Sequence, residues 1–149
     1  MVEGDTRRMS LMSKVIRTGA NVHAALYRRF SAPAFRRMAG LPVLLLTVRG
    51  RRSGREITTP VCYIESDGGY AVTGSAGGSD AEPQWFRNLR AAPTATIEVG
   101  DSRHVVTVRI LDGEERDALW RRFAAEGTTF GGYEEKTERR IPVALLTPA

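Results

Sequence analysis

Four arginines lie within residues 49–55, whose sequence is Arg-Gly-Arg-Arg-Ser-Gly-Arg. An apolar run precedes this segment and a β-branched run over residues 57–61 follows it, so the segment is predicted to be a hairpin turn. Such a turn needs only glycine and one or two polar residues. Arginine provides planar, permanently charged donors that bind phosphates and carboxylates through paired hydrogen bonds. The segment therefore indicates a site for a small polyanion, although a solvated basic turn explains it equally well at this point.

A second loop, residues 74–79, has the sequence Gly-Ser-Ala-Gly-Gly-Ser and leads from a predicted strand to a predicted helix that begins at Pro83. Small residues let a flat ligand approach the backbone, and a helix N-terminus offers unpaired amide hydrogens. Trp85 follows in the first turn of that helix. The two loops together indicate a site for a long anionic ligand with a flat head. A flexible glycine loop followed by a core tryptophan is the alternative.

Other catalytic constellations are not found in the sequence. His23 and His104 lie far apart and neither has a metal-ligand spacing, so no metal site is predicted. There is no nucleophile elbow, P-loop or dinucleotide-binding fingerprint. Cys62 lies in an apolar strand, and we predict a buried, unreactive thiol there rather than a nucleophile.

The composition is that of a globular chain with an excess of basic residues. Its 149 residues are 42% hydrophobic and carry a formal net charge of +5, and arginine supplies nearly all of the positive charge. This charge is compatible with nucleic acid, an anionic membrane surface or an anionic cofactor, and does not choose among them. A single cysteine excludes an internal disulfide, and no signal-like or 18-residue apolar run is present, so we predict a cytoplasmic protein.

Most of the chain is predicted to form short antiparallel strands. Tight turns separate six strands, over residues 41–48, 56–65, 70–75, 94–99, 103–111 and 142–147. Two helices interrupt them, over residues 83–92 and 112–123, the second with Asp112 as N-cap and Glu115 three residues on, as in a capping box. Few helices and no βαβ alternation favour a mainly β (α+β) fold, an antiparallel barrel with flanking helices.

The N-terminal part differs from the rest. Residues 1–8 are polar, and apolar residues at spacings of three and four predict a basic amphipathic helix over residues 11–30. We therefore divide the chain into an N-terminal tail and helix, residues 1–40, and a barrel domain, residues 41–149. The helix either packs on the domain or in a homodimer, or lies peripherally on the inner face of the cell membrane. The first alternative is favoured.

Several motifs in order resemble one known family. These are Arg-Gly-Arg-Arg-Ser-Gly at residues 49–54, Thr-Pro-Val at 59–61, Ser-Ala-Gly-Gly at 75–78, Pro-Gln-Trp-Phe-Arg-Asn-Leu-Arg-Ala-Ala-Pro at 83–93 and Arg-Ile-Pro-Val at 140–143. Over residues 41–149 the chain resembles the deazaflavin (F420)-dependent nitroreductase family, a branch of the split β-barrel flavin and deazaflavin oxidoreductases. The resemblance implies a split β-barrel and reduced coenzyme F420. The phosphate and oligoglutamate tail of this cofactor would explain the four arginines of residues 49–55, here called the arginine turn.

The resemblance also implies which residues form the site. The cofactor phosphate is expected at Arg51, Arg52, Ser53 and Gly54. The ring is expected beside Pro60 and Val61, and the remaining expected cofactor contacts are Ser75, Ala76, Gly77, Gly78, Pro83, Gln84, Trp85 and Asn88. Ser75 or Tyr133, or solvent, is expected to supply a proton.

The predicted function is an F420H2-dependent reductase that transfers a hydride to an electron-poor small molecule, such as a quinone, an activated alkene or a nitro compound. An FMN-binding oxidoreductase of the same fold is one alternative, and a non-catalytic lipid- or membrane-binding barrel is another. A nucleic-acid partner is not predicted, because the basic residues are not interleaved with aromatics and no known motif is present.

Overall fold

The computed structural model describes residues 37–75, 81–127, 132 and 139–149. These residues form eight strands and two helices. In chain order they are β1 (Arg37–Met38), β2 (Leu41–Arg49), β3 (Glu56–Cys62), β4 (Ile64–Ser66), β5 (Gly69–Thr73), α1 (Gln84–Arg90), β6 (Thr94–Val99), β7 (Ser102–Ile110), α2 (Gly113–Glu126) and β8 (Val143–Pro148). The predicted N-terminal helix lies outside the described residues. Neither described helix is long and apolar enough to cross a membrane.

All the paired strands are antiparallel, and the segment containing β3 and β4 closes the sheet. The main path runs β2-β6-β7-β8-β5-β4, while β3 pairs with the other edge of β2. The pairing of β3 with β2 ends at Cys62, and β4 pairs with β5. Tyr63 lies between β3 and β4, and its amide donates to the Pro42 carbonyl at 3.0 Å. Residues 56–65 are therefore not one continuous strand as predicted. This break lets one segment serve both sheet edges, which gives a six-stranded barrel.

The continuous apolar run in β2 is explained by burial on both of its faces. Leu44, Leu46 and Val48 belong to the cluster that we call the barrel interior, which draws residues from β2, β3, β5, β6, β7 and β8. Val43 and Leu45, which alternate with them along the strand, belong to a second cluster, here called the outer layer. Successive strand residues point to opposite faces, so a strand buried on both sides reads as an unbroken apolar run.

The two helices cover different clusters. Phe86 and Leu89 of α1 are fully buried in the barrel interior, whereas Trp120 and Phe123 of α2 lie in the outer layer. Burying each such side chain contributes about 1.5–3 kcal/mol. Each helix is thus fixed on the barrel by large apolar side chains, and α1 presents Gln84 and Asn88 to the turn between β2 and β3.

One local prediction, the capping box of α2, needs correction. Asp112 is the N-cap of α2 as predicted, but its side chain makes no capping hydrogen bond, and Glu115 instead pairs with Arg109 on β7. The predicted capping box is therefore wrong, because the strand offers Glu115 a charged partner. In addition, β1 pairs with β2, so the sheet begins before residue 41.

Candidate functional site

The arginine turn between β2 and β3 is docked on α1. The backbone amide of Arg51 donates to Asn88 Oδ1 at 3.1 Å, and Arg51 Nη1 donates to the same oxygen at 2.8 Å. Arg51 Nη2 donates to Gln84 Oε1 at 3.0 Å. Gln84 and Asn88 are one helical turn apart, so both oxygens face the same side of α1. One guanidinium is thereby held at two points while its residue stays exposed.

Backbone hydrogen bonds fix the shape of the turn itself. The amide of Gly50 donates to the Arg55 carbonyl at 2.7 Å, and the amide of Gly54 donates to the Gly50 carbonyl at 2.9 Å. Gly54 has φ +73°, which disfavours other residues there. Ser53 Oγ accepts from the Arg55 amide at 3.2 Å, so its hydroxyl hydrogen can still be donated to a ligand. Arg52 and Ser53 are exposed at the tip.

The charge of this turn is not neutralised within the described part of the chain. No carboxylate there forms an ion pair with Arg49, Arg51, Arg52 or Arg55. Arg51 is held by amide oxygens, which accept hydrogen bonds without cancelling its charge. Several guanidiniums close together without carboxylates are suited to a phosphate or to several carboxylates from a ligand.

The segment at the end of β5 is fixed against α1 and the C-terminal part of the chain. Arg139 Nη2 donates to the carbonyls of Gly74 and Ser75 at 3.0 and 2.9 Å. A Cβ on Gly74 would lie 2.9 Å from the ring of Phe86, so the backbone can approach α1 this closely only with glycine. Ser75 itself is buried, with 8% of its surface exposed. This predicted proton donor therefore has a defined backbone position next to α1.

Of the two predicted ring-lining residues, Val61 lies in the cluster that α1 covers and Pro60 does not. Val61 is buried in the barrel interior, and Trp85 packs against that cluster with its side chain half-buried. Pro60 is half-buried and pairs with Leu45 on β2. Pro83 is the N-cap of α1, so the helix begins at Gln84, one position later than predicted. Val61, the end of β5 and the arginine turn thus meet α1 or the cluster that it covers. Pro60 lies opposite Leu45 of the outer layer, so it faces away from Val61, and its role beside the ring stays a prediction.

Four predicted site residues lie outside the described residues: Ala76, Gly77, Gly78 and Tyr133. Their roles stay predictions, as does the choice between Ser75 and Tyr133 as proton donor.

The single cysteine behaves as predicted. Cys62 is buried with 7% exposed, and its Sγ–H donates to the Met38 carbonyl at 3.2 Å. Burial raises the pKa of the Cys62 thiol to about 11, so the thiolate does not form at neutral pH. The predicted burial of the thiol is confirmed, and the raised pKa disfavours the reactive thiolate. Among the described residues no group of three or more histidines, cysteines and carboxylates could hold a metal ion.

Sequence reasoning missed two contacts that build the site. One is Arg139, which holds the Gly74 and Ser75 carbonyls. The other is the ion pair between Glu82, which precedes α1, and Arg90, the last residue of α1. Arg90 Nη2 lies 2.8 Å from Glu82 Oε1. Residue 139 directly precedes the Arg-Ile-Pro-Val motif at 140–143, which is the only sequence signal near it. Pairing over such separations is set by the fold and has no local pattern.

Comparisons with known proteins identify the family and agree with the barrel fold. The family described as F420H(2)-dependent quinone reductase matches residues 20–148, so the match begins earlier than the predicted resemblance at residue 41. An F420H(2)-dependent quinone reductase of Mycobacterium tuberculosis is 32% identical over 130 residues, covering 85% of this chain and 87% of that protein.

Solved structures give the same result. The structure of an F420-H2 dependent reductase is 35% identical, with a TM-score of 0.65, and covers 70% of this chain and 93% of its own. A structure described as a domain-swapped dimer is 29% identical, with a TM-score of 0.66, over 90% of this chain and 98% of its own. The predicted split barrel and family resemblance are confirmed. The chain belongs to the F420H(2)-dependent quinone reductase family.

Proposed function

We propose that this protein binds reduced coenzyme F420 at the arginine turn and α1 and reduces a quinone. The observation that carries this proposal is the arginine turn, which no carboxylate of the described residues neutralises. In it, Arg51 is oriented by two uncharged oxygens, and Arg52 and Ser53 are exposed beside it. Family membership supports F420 as the cofactor. When bound, that cofactor supplies a hydride to the acceptor.

The described residues fit the anionic part of F420. A phosphate followed by an acidic tail needs several donors that keep their positive charge, and the turn offers Arg51 and Arg52 together with the Ser53 hydroxyl. Gly54 at φ +73° supports the turn conformation that places them together. Gln84 and Asn88 support the same site by holding Arg51.

The ring is assigned to the space next to α1. Val61 and Trp85 supply apolar surface there, and Pro83 fixes the start of the helix. Ser75, with the small residues Ala76, Gly77 and Gly78 that follow it, would border the ring. A quinone that accepts the hydride also takes one proton and becomes a hydroquinone. The hydroxyl of Ser75 or Tyr133, or solvent, would supply that proton.

FMN is the second candidate cofactor, because the same fold class includes flavin oxidoreductases. FMN carries one phosphate, which one or two of the arginines can bind, so the remaining charge of the turn favours F420 over FMN. A non-catalytic lipid-binding barrel is the candidate from another class, and it depends on the predicted N-terminal helix.

Homodimerisation is part of the proposal. It is supported by the domain-swapped dimer seen in a relative that is 29% identical and covers 90% of this chain. Light scattering coupled to gel filtration would give twice the mass of 16.4 kDa for a dimer. Peripheral membrane attachment through residues 11–30 would require vesicle binding by the full chain that is lost without that segment.

The deciding experiment titrates the purified protein with F420 and with FMN side by side, followed by fluorescence. We expect tighter binding of F420 and turnover of a water-soluble quinone with F420H2. A matched truncation that removes residues 1–36, and so keeps β1, should retain both. Equal affinity for FMN would favour the flavin alternative. Strong vesicle binding by the full chain without turnover of any acceptor would favour the lipid-binding barrel.

A further inference from the structure

We infer that Asn88 is a positioning residue whose uncharged oxygen orients Arg51 while leaving the arginine's full charge to the ligand. The inference rests on the proposed function, because the ligand concerned is the anionic part of F420. It differs from the role that the family resemblance implies, in which Asn88 contacts the cofactor directly.

The geometry points to Arg51 as the partner of the Asn88 oxygen. Oδ1 accepts from both the backbone amide and Nη1 of Arg51, at 3.1 and 2.8 Å. An amide oxygen has two lone pairs, so these two bonds use its full capacity. Asn88 is buried, with 5% of its surface exposed, whereas Arg51 is exposed. The asparagine is therefore a fixed support beneath the arginine.

The guanidinium retains donors for a ligand. Of its five N–H groups, one on Nη1 bonds Asn88 and one on Nη2 bonds Gln84, which leaves three. Both acceptors are neutral amides, so neither cancels the positive charge. The same helix holds a contrasting arginine, Arg90, which pairs with the carboxylate of Glu82. A carboxylate at position 88 would hold Arg51 equally well but would form an ion pair with it.

Replacing the amide of Asn88 with a carboxylate distinguishes two roles for this residue. In one it orients Arg51 and leaves its charge to the ligand, and in the other it only holds the turn in place. Asn88→Asp keeps the shape of the side chain and can accept the same two hydrogen bonds, so the fold and its melting temperature should be maintained. If the neutral oxygen matters, Asn88→Asp should weaken F420 binding at least tenfold and should flatten the dependence of affinity on salt concentration. A merely structural role requires only the hydrogen bonds and predicts unchanged affinity.

The experiment measures F420 affinity by fluorescence titration across a series of salt concentrations, with melting temperature as the check on folding. Ala91→Asp is the matched control, because it adds one negative charge to the exposed end of α1 outside the Arg51 contact. It should change affinity less than threefold. Gln84→Glu repeats the test at an exposed position that cannot disturb the core, and it should also weaken binding and flatten the salt dependence.

A double substitution tests whether Asn88 acts through Arg51. Asn88→Ala should weaken binding in the wild-type background and should have no further effect in an Arg51→Ala background. Equal losses in both backgrounds would instead indicate direct contact between Asn88 and the ligand, and would overturn the inference. Wild-type affinity in both Asn88→Asp and Gln84→Glu, or an equal loss in Ala91→Asp, would overturn it as well. A wild-type protein that binds no F420 overturns the proposed function itself.

Discussion

Arg51 and Arg116 each join a helix to another part of the barrel through neutral oxygens, but only Arg116 also pairs with a carboxylate of the described residues. Arg116 of α2 is buried, with 5% exposed, and its Nε and Nη2 donate to the Ile141 carbonyl at 2.9 and 2.6 Å. Its Nη1 also lies 3.0 Å from a carboxylate oxygen of Asp117. Arg51 is exposed and is held by two amide oxygens of α1.

The same contrast extends to the neighbours of each arginine. Near α2, Arg109, Arg122 and Arg140 all form ion pairs with carboxylates. In the arginine turn, none of the four arginines pairs with a carboxylate of the described residues. An arginine that is paired and desolvated connects parts of the fold, whereas one that is oriented but not neutralised can bind an anion. The partners therefore distinguish function more clearly than the residue type.

The largest expected effect is on stability, at Arg116. Arg116→Ala should lower the free energy of unfolding by about 3 kcal/mol, because it leaves the buried Ile141 carbonyl without its charged donor. Denaturant unfolding would measure this. Arg140→Ala is the control, since Arg140 is exposed and binds the same aspartate, and it should cost less than about 1 kcal/mol. Loss of F420 affinity in folded Arg116→Ala protein would contradict a purely structural role.

The outer layer should also contribute a pH-dependent stability through Cys62. Burial raises the pKa of its thiol from 9.0 to about 11, so the folded state binds the proton more tightly than the unfolded state. The contribution is therefore complete below pH 9 and is lost as the pH rises towards 11, by about 2–3 kcal/mol in all. The decrease should be absent from Cys62→Ser, which keeps a donor for the Met38 carbonyl. Parallel pH profiles of the two proteins would contradict a raised pKa.

Local patterns in the sequence were sufficient to predict most strands and both helices. The alternation in β7 and the turns around glycines mark elements whose bounds differ from prediction by at most three residues. The break at Tyr63 was missed because residues 56–65 have the same β-branched and apolar character on both sides of it. The pairing partner changes from β2, for β3, to β5, for β4, because the barrel must close, and closure is a property of the whole sheet.

The site was predictable in its chemistry but not in its contacts. The turn's arginines and the residues of α1 were found through a family resemblance and the chemistry of guanidinium groups. The bonds from Arg51 to Gln84 and Asn88 cross more than thirty positions in the chain, and no local rule pairs a turn with a helix at that separation. Only the fold therefore shows that α1 holds Arg51 and that Arg52 makes no such bond with the described residues.

The next largest effect is on binding, at Arg51. Arg51→Ala should weaken F420 binding by about 1.5–3 kcal/mol, the range for hydrogen bonds to a charged group. The free energy of unfolding should change by less than about 1 kcal/mol, because the side chain is exposed. Fluorescence titration and denaturant unfolding would measure the two quantities. Arg51→Lys should recover only part of the affinity, since an ammonium cannot contact both amide oxygens and a phosphate in one plane. Unchanged F420 affinity in Arg51→Ala would move the anion site elsewhere.

The smallest effect is expected at Arg52, and it provides the closest test of orientation. Arg52 is adjacent to Arg51 and carries the same charge, but it is exposed and makes no hydrogen bond or ion pair with the described residues. It must lose side-chain freedom when a ligand binds, which offsets part of its attraction. Arg52→Ala should therefore weaken F420 binding by only about 0.5–1 kcal/mol, the range of an exposed pair, and salt should screen that contribution. The measurement is F420 affinity in both single variants at low and high salt. A loss at Arg52 as large as the loss at Arg51 would mean that charge alone, without the support from α1, accounts for anion binding.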